Sequence, residues 1–297
     1  MPAFEPEATR FSATNALLLA RLCNAAYSTK AAAEAIVIDE LKFASFRWIS
    51  LTEIFRNVCA IAASCDEFTV IAFRGTQNLK DWMTDLYATP VGYPWIFEAG
   101  PEVGSIHAGF GHALRDAWTK VATAVADMIA QSKRVSGPPT KPPPTLWLTG
   151  HSLGGALAVL AGATFSMWRD AKIRSVNGIY TFGQPRIGLY QFCANYDHQL
   201  KSRTFRFVNK EDLVPRVPFR SWDYADVGQM IHFTSNGGPK LESLEWSNFL
   251  SRAFEGFKEF FSIATNIGPD VGDHSITEYQ TLVQRQKNAL NALFSGK

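Results

Sequence analysis

The chain has 297 residues, a length that suits one large domain better than two small ones. Hydrophobic residues make up 46% of it and charged residues 19%, which is ordinary for a protein with a substantial core. A formal net charge of +2 is too near neutral to indicate a nucleic-acid-binding protein or one held to an acidic membrane surface by charge. We therefore expect one globular domain over 1–297 and no nucleic-acid partner.

Neither a signal peptide nor a membrane anchor is predicted from the N-terminal residues. The apolar run at residues 16–20 ends at Arg21, and no stretch approaches the roughly 20 apolar residues that a membrane-spanning helix needs. We expect no transmembrane segment. The compartment stays open between the cytoplasm, export by another route and a secreted mature form.

The first half of the chain alternates between helical and extended patterns. Apolar residues recur at helical spacing over 15–27, which predicts an amphipathic helix. Residues 46–73 are rich in β-formers and break near 64–67, which predicts a hairpin that ends in the buried strand 68–73. A second amphipathic helix is expected over 111–131, where large apolar residues share one face.

Five prolines between residues 136 and 144 predict a stiff, exposed connector. Strands alternate with helices after it, and this alternation predicts an α/β fold with a mostly parallel sheet flanked by helices. The expected strands cover 145–149, 176–182 and 204–208, and the expected helices cover 155–163 and about 188–200.

The four cysteines show none of the paired spacings that are typical of metal sites. Cys59 and Cys65 could face each other across a hairpin, but we expect buried thiols that act as small hydrophobes. The other two are Cys23 and Cys193. Nothing in this set requires an oxidising compartment, and we expect no metal or organic cofactor.

The most informative segment is Gly150-His151-Ser152-Leu153-Gly154, which lies between a predicted buried strand and a helix rich in small residues. A G-x-S-x-G motif in this context predicts a nucleophile elbow, a sharp turn that presents a serine hydroxyl at the end of a sheet. Glycines must flank the serine because the strand and the returning helix approach each other closely. The helix N-terminus would present N–H groups to developing negative charge. Ser152 is therefore the candidate nucleophile.

A serine nucleophile needs a base, and with an elbow of this kind the histidine follows the serine in the chain. Three histidines follow Ser152. His198 is expected at a polar helix end and His232 within a strand, whereas His274 belongs to a late, turn-rich loop from which an imidazole can reach the serine. We favour His274 as the base.

The base needs an orienting carboxylate, and Asp212 is the best candidate. It follows the strand predicted to end at residue 208, and catalytic groups in such sheets lie past the carboxyl ends of strands. Glu211 is the neighbouring alternative. Asp273 is not favoured, because the side chains of adjacent residues seldom hydrogen-bond to each other.

An oxyanion hole requires two donors aimed at the tetrahedral oxygen. One should be the backbone N–H of Leu153, the residue after the nucleophile. The other should come from the loop after an earlier strand, where Thr76 offers both an N–H and a hydroxyl.

Taken together, these residues resemble the class 3 (fungal-type) lipase family. The matching segments run in order from about residue 14 to 280, and His274 stands in the expected late position. They are Phe73-Arg74-Gly75-Thr76, Asp81-Trp82 with Asp85-Leu86, Ile106-His107-Ala108-Gly109-Phe110, Thr149-Gly150-His151-Ser152-Leu153-Gly154-Gly155-Ala156, Thr181-Phe182-Gly183-Gln184-Pro185-Arg186-Ile187-Gly188 and Asp212-Leu213-Val214-Pro215.

The resemblance implies an α/β-hydrolase fold with Ser152, Asp212 and His274 as the catalytic triad. It implies that Thr76 and Leu153 form the oxyanion hole, with Asp85 orienting the Thr76 hydroxyl. By the same comparison, His107 is structural.

The resemblance also implies a short helical lid over 77–86 that opens at a lipid–water interface. The lid and acyl-binding candidates in this segment are Leu79, Trp82, Met83 and Leu86. An apparent insertion or cap follows at 237–268 and contains an aromatic helical stripe at 246–264. This stripe either packs on the core or offers its aromatic side chains to acyl chains.

We therefore expect a serine carboxylic-ester hydrolase, and specifically a triacylglycerol lipase that acts on a lipid or ester substrate. The alternatives are a short-chain or feruloyl-type esterase, a phospholipase A1 and a monoacylglycerol lipase. A more remote alternative is a non-catalytic lipid-binding module that keeps the fold. Acyl chain length, regioselectivity and oligomeric state are left open.

Overall fold

The computed structural model describes residues 3–50, 59–76, 90–92, 104–136, 142–167, 176–210, 212–235, 238–242 and 272–295. Its strands are β1 (Ser45–Ser50), β2 (Cys59–Ser64), β3 (Phe68–Phe73), β4 (Pro90–Gly92), β5 (Ser105–His107), β6 (Thr145–His151), β7 (Val176–Phe182), β8 (Gly188–Leu189), β9 (Thr204–Asn209), β10 (Tyr224–Ala225), β11 (Gln229–Phe233) and β12 (Pro239–Glu242).

Eight of these strands form one sheet in the order β1-β2-β3-β6-β7-β9-β11-β12. The neighbours from β3 to β11 pair in parallel, while β1, β2 and β12 join at the two edges in antiparallel fashion. Parallel neighbours need crossover connections. Helices lie in the connections from β3 to β6, from β6 to β7 and from β7 to β9, whereas the connection from β9 to β11 contains 3₁₀ turns and the short strand β10. A smaller sheet has the order β10-β8-β5-β4.

The helices lie on both faces of the large sheet. They are α1 (Ala13–Ala25), α2 (Lys30–Ala35), α3 (Ala108–Gln131), α4 (Lys133–Ser136), α5 (Leu153–Met167), α6 (Tyr190–Leu200), α7 (Ile276–Arg285) and α8 (Lys287–Phe294). A π-helical turn covers Ile36–Glu40, and 3₁₀ turns cover Lys201–Arg203, Val214–Arg216, Arg220–Trp222 and Gly272–His274.

The core is divided in two by the sheet, because alternate residues of a strand point to opposite faces. Leu146 and Leu148 of β6 pack with α3 and α5, whereas Trp147 packs on the other face with α1 and α7. Strands β2, β3, β6 and β9 are buried along their whole length. This explains why β2 and β3 are almost continuously apolar in sequence.

The predicted helices and strands of the described residues are confirmed, with ends that shift by a few residues. The helix expected over 111–131 begins three residues earlier, at Ala108, and the helix expected from about 188 begins at Tyr190 after the short strand β8. No helix of the described segments is long and apolar enough to cross a membrane.

The possible pairing of Cys59 with Cys65 is wrong. Cys59 begins β2 and Cys65 directly follows its last residue, so the two lie at opposite ends of one extended strand. All four cysteines are buried free thiols, as expected for small hydrophobes.

Several predicted segments lie wholly or partly outside the described residues and stay predictions. These are the lid at 77–86, most of the proline-rich connector at 136–144 and the aromatic stripe at 246–264. The segment 237–268 contributes β12 to the edge of the large sheet, and the part after residue 242 is outside the described ranges.

Gly178 in β7 provides a test of this packing. A Cβ atom at this position would lie 2.2 Å from Cζ3 of Trp147, whose indole N–H is anchored to the Thr145 hydroxyl at 3.1 Å. We expect Gly178→Ala to lower the free energy of unfolding by about 1–3 kcal/mol, because the anchored ring cannot move aside. Urea denaturation measures this difference.

Gly238→Ala is the matched control, since the nearest atom to its added Cβ would be 3.8 Å away. It should change the free energy of unfolding by no more than about 0.5 kcal/mol. Equal effects of the two substitutions would contradict this account of the packing between β6 and β7.

Candidate active site

Ser152 occupies the sharp turn between β6 and α5. Its φ is +58°, in the left-handed region that non-glycine residues seldom adopt. A Cβ atom on Gly150 would lie 2.1 Å from the carbonyl oxygen of Gly154, and one on Gly154 would lie 2.2 Å from that of Phe73. Only glycine at both positions lets the strand, the turn and the helix come this close.

The Ser152 side chain is buried, with 1% of the residue exposed, and its Oγ has no hydrogen-bond partner among the described residues. The backbone is fixed from the neighbouring strand, because Ser152 N–H donates to the carbonyl of Phe182 at 2.9 Å. The 15-residue helix α5 begins at the next residue, so its positive N-terminus lies beside the hydroxyl.

His274 and Asp212 are in direct contact, although 62 residues separate them in the chain. Nδ1 of His274 lies 2.8 Å from Oδ2 and 3.0 Å from Oδ1 of Asp212. An ionised carboxylate only accepts, so Nδ1 carries a proton and Nε2 is the basic nitrogen. Nε2 is buried and makes no hydrogen bond within the described part of the chain.

The carboxylate of Asp212 is held by two further donors. The backbone N–H of Val214 donates to Oδ1 at 3.0 Å, and the hydroxyl of Tyr279 donates to Oδ2 at 2.6 Å. Tyr279 in turn accepts the N–H of Asn209 at 2.9 Å. Burial first, and then the charge of Asp212, raise the pKa of Tyr279 well above its usual value, so the hydroxyl stays a donor.

Tyr279 and Gly183 are functional candidates that sequence reasoning missed. Gly183 has a φ of +59°, and a Cβ there would lie 2.8 Å from the His274 ring and 2.9 Å from Oδ2 of Asp212. A side chain at this position would therefore displace the pair. Gly183 had a signal within the family motif, whereas Tyr279 had none.

The alternative histidines are placed elsewhere. His198 is exposed on α6, and Nε2 of His232 on β11 lies 3.0 Å from the carbonyl of Lys210. Asp273 pairs with Lys210, whose Nζ lies 3.4 Å from its carboxylate. Glu211 lies outside the described residues.

The two predicted oxyanion residues lie at the same edge of the sheet as Ser152. Strands β3 and β6 are parallel neighbours, with Phe73 opposite Gly150, so the residues after β3 reach the elbow. A Cβ on Gly75 would lie 2.9 Å from Cβ of Ser152. Thr76 follows and is half-buried, while Leu153 is the first residue of α5.

The remaining predicted site residues, Asp85 and the lid candidates Leu79, Trp82, Met83 and Leu86, lie outside the described ranges. Within those ranges, no group of three or more histidine, cysteine, aspartate or glutamate side chains could hold a metal ion.

A three-arginine cluster around Asp226 holds the segment that follows Asp212. Arg206 Nη1 lies 3.0 Å and Arg186 Nε 3.3 Å from Asp226, which also contacts Arg220. Burial alone would raise the pKa of Asp226, but the three guanidinium groups hold it well below its usual range. Arg186 donates from Nη1 to the backbone carbonyls of Arg216 and Pro218, and so fixes the chain just after the site.

The role of Tyr279 in holding Asp212 is testable by stability. Tyr279→Phe removes a donor from a buried carboxylate and an acceptor from Asn209 N–H, so we expect the free energy of unfolding to fall by about 1–3 kcal/mol. Tyr224→Phe is the matched control, because its buried hydroxyl has no hydrogen-bond partner among the described residues.

Denaturant titration of both variants makes the comparison. The control should stay within about 0.5 kcal/mol of the parent protein. A Tyr279→Phe protein as stable as the control would show that the hydroxyl does not support the carboxylate.

Comparison with known proteins places the fold and the family. A model of the class 3 lipases matches residues 70–222, just over half of the chain, and this range includes Ser152 and Asp212. The lipase of Rhizomucor miehei is 31% identical over 186 residues, which are 62% of this chain and 47% of that protein. A triacylglycerol lipase of Ricinus communis is 30% identical over 209 residues, 56% of this chain and 38% of the relative.

A secreted mono- and diacylglycerol lipase of Fusarium solani is 27% identical over 215 residues, and the match covers 72% of this chain and 56% of that protein. The chain thus spans about half the length of these relatives.

Solved structures show the same architecture. The Rhizomucor miehei lipase with its propeptide superposes with a TM-score of 0.58 at 25% identity, over 79% of this chain and 73% of that one. A triacylglycerol lipase whose catalytic centre is described as a serine protease triad superposes with a TM-score of 0.61 at 23% identity, over 89% of this chain and 92% of that one. The mostly parallel sheet flanked by helices is therefore an α/β-hydrolase fold, and with the family model spanning the elbow and its neighbouring strands, this chain belongs to the class 3 lipase family.

Proposed function

We propose that this protein hydrolyses carboxylic esters through an acyl-enzyme on Ser152, and that its substrates are triacylglycerols. The observation that carries the proposal is that Ser152 Oγ and His274 Nε2 are both buried without a hydrogen-bond partner among the described residues, while Nδ1 of His274 is fixed by Asp212. A nucleophile, a base and an orienting carboxylate are the parts that acyl transfer by serine requires.

In the first step, Nε2 of His274 takes the proton of Ser152 as Oγ attacks the ester carbonyl carbon. The imidazolium that forms is stabilised by Asp212, whose carboxylate already accepts from Nδ1–H. Because Val214 and Tyr279 hold the carboxylate in place, little reorganisation accompanies the change in charge.

The tetrahedral oxyanion would be held by the N–H groups of Leu153 and Thr76. The N-terminus of α5 adds its partial positive charge at the same point. Collapse of this intermediate breaks the ester C–O bond, and His274 gives its proton to the departing alcohol. Water, activated by the same base, then hydrolyses the acyl-enzyme and releases the fatty acid.

The choice of triacylglycerols rests on the relatives, two of which are named as acylglycerol lipases that act on tri-, or on mono- and diacylglycerols. A chloroplastic phospholipase A1 of Arabidopsis thaliana is 25% identical over 237 residues. Phospholipid is therefore the substrate class to test beside acylglycerols. The lid at 77–86, the support of Thr76 by Asp85 and a single domain over 1–297 are further proposals that rest on the sequence motifs.

Ser152→Ala tests the chemistry. We expect hydrolysis of p-nitrophenyl butyrate to fall by more than about a thousandfold, because the proposed acyl-enzyme forms on the Ser152 hydroxyl. Ser166→Ala on the same helix is the control, since its hydroxyl donates to the backbone carbonyls of Gly162 and Ala163 and is far along α5 from the elbow. Full activity in a folded Ser152→Ala protein would end the assignment.

The substrate class is tested with p-nitrophenyl esters from acetyl to stearoyl, emulsified trioleoylglycerol and phosphatidylcholine vesicles. We expect hydrolysis of the long-chain esters and of the emulsion, all lost in Ser152→Ala. Activity confined to the shortest soluble esters would keep the chemistry but replace the lipase by an esterase. Preferred release of fatty acid from the vesicles would replace it by a phospholipase.

A further inference from the structure

A chain of hydrogen bonds runs behind the elbow and joins two loops of the site through His151. Its members are the N–H of Gly75, the hydroxyl of Tyr27, the imidazole of His151 and the carbonyl of His274. We propose that His151 and Tyr27 are positioning residues, which lock the loop of the base and the loop of the oxyanion hole to one another. This inference rests on the proposed function of His274 and Thr76.

The donor and acceptor of each of these hydrogen bonds can be assigned by starting from the carbonyl of His274. Nε2 of His151 lies 2.6 Å from the backbone carbonyl of His274, which can only accept, so Nε2 must carry a proton. His151 is buried, and burial first, with the nearby His274 second, lowers its pKa well below the usual value. The ring is therefore neutral, and its Nδ1 has no proton.

A bare Nδ1 needs a donor, and Tyr27 provides it. The Tyr27 hydroxyl oxygen lies 2.7 Å from Nδ1 of His151 and also accepts the N–H of Gly75 at 3.2 Å. Burial raises the pKa of Tyr27, so the hydroxyl keeps its proton. If Nδ1 of His151 instead donated to the Tyr27 hydroxyl, Nε2 of the neutral ring would have no proton. The lone pair of Nε2 would then face a lone pair of the His274 carbonyl oxygen at hydrogen-bonding distance, which is repulsive. Tyr27 thus selects the tautomer that His274 requires.

The Tyr27 end of the chain fixes the loop after β3. Gly75 is wedged against the elbow: a Cβ there would lie 2.8 Å from both the His151 carbonyl oxygen and the Tyr27 hydroxyl. The next residue is Thr76, the proposed oxyanion donor. The guanidinium of Arg74, just before Gly75, lies 5.6 Å from the centre of the Tyr27 ring. The loop is therefore tied to Tyr27 at consecutive residues.

The His151 end fixes the base. Its ring packs against that of His274 with centroids 4.6 Å apart, while its N–H holds the backbone of the same residue. Asp212 controls the rotation of the His274 side chain, and His151 controls where the backbone places that side chain. Small displacements of a base or of an oxyanion donor slow the reaction strongly, so both ends of the chain bear on the same transition state.

Tyr27→Phe keeps the ring and removes the link. We expect kcat on p-nitrophenyl butyrate to fall about tenfold to a hundredfold, with KM within about twofold, because geometry and not ester binding is lost. The rate of Ser152 labelling by a fluorophosphonate should fall in parallel. Tyr180→Phe is the matched control, since its buried hydroxyl also accepts a backbone N–H, that of Ser12, at 3.0 Å. It should leave kcat unchanged at a similar loss of stability.

A double-mutant cycle separates positioning from general support. His151→Phe should lose about as much kcat as Tyr27→Phe, and the double variant should lose no more than the larger single loss, because either change breaks the same chain. His151→Gln, which keeps a donor and an acceptor, should recover part of the loss. Losses that multiply in the double variant, or wild-type kcat in folded Tyr27→Phe, would overturn the proposal.

The tautomer of His151 can be measured in the parent protein, so this second test requires no variant. Nitrogen NMR of the ¹⁵N-histidine-labelled protein should show a neutral imidazole with Nε2 protonated and Nδ1 bare, and Nδ1 protonation would overturn the proposal. The two hypotheses fail differently. Absence of hydrolysis and of Ser152 labelling in the parent protein would contradict the proposed function. An active parent protein whose kcat is unchanged by Tyr27→Phe would contradict only this inference.

Discussion

The close approach of β6, α5 and the loop after β3 around Ser152 is the constraint on which the rest of the site depends. A left-handed backbone at a non-glycine residue costs about 1–3 kcal/mol, and the surrounding structure must hold it. Here β6 is buried along its length between β3 and β7, so the strand cannot relax without disrupting the centre of the sheet. The strain places the hydroxyl at the one point where a helix N-terminus, a neighbouring loop and His274 converge.

Burial of polar groups near this turn is the second constraint. Asp212, His274 and His151 are all buried, and a buried polar group without a partner costs stability. The carboxylate meets this cost with donors from His274, Val214 and Tyr279. Ser152 Oγ and His274 Nε2, the two atoms that the proposed reaction uses, are buried and have no hydrogen-bond partner among the described residues.

The loops that carry these groups are fixed by their surroundings. The cluster around Asp226 holds the segment after Asp212 through Arg186, and Asn209 donates to the backbone carbonyl of Asp273 at 2.9 Å, next to His274. Tyr27 and His151 act in the same way behind the elbow. A rigid framework of this kind keeps the reacting groups preorganised, which is where most electrostatic catalysis originates.

The sequence by itself determined the order of the elements, the elbow and the residues proposed for catalysis. These are local or periodic features: apolar runs in strands buried on both faces, a stripe on α3, and glycines spaced around a serine. Asp212 and His274 could be predicted from the sequence because each follows a recognisable element in a fixed chain order. Their contact with each other could not be read from local spacing, since 62 residues separate them.

Only the tertiary structure decided which residues hydrogen-bond to the groups of the site. Tyr279 belongs to α7 and Tyr27 to the turn after α1, and in sequence both look like ordinary core residues. His151 occupies a motif position that accepts any residue type. Their roles arise from three-dimensional packing that brings α1, the loop after β3 and the turn at Gly272–His274 to one point. A hydrogen bond between distant residues leaves no periodic trace in the chain, because its geometry is set by how the sheet and helices pack and not by local spacing.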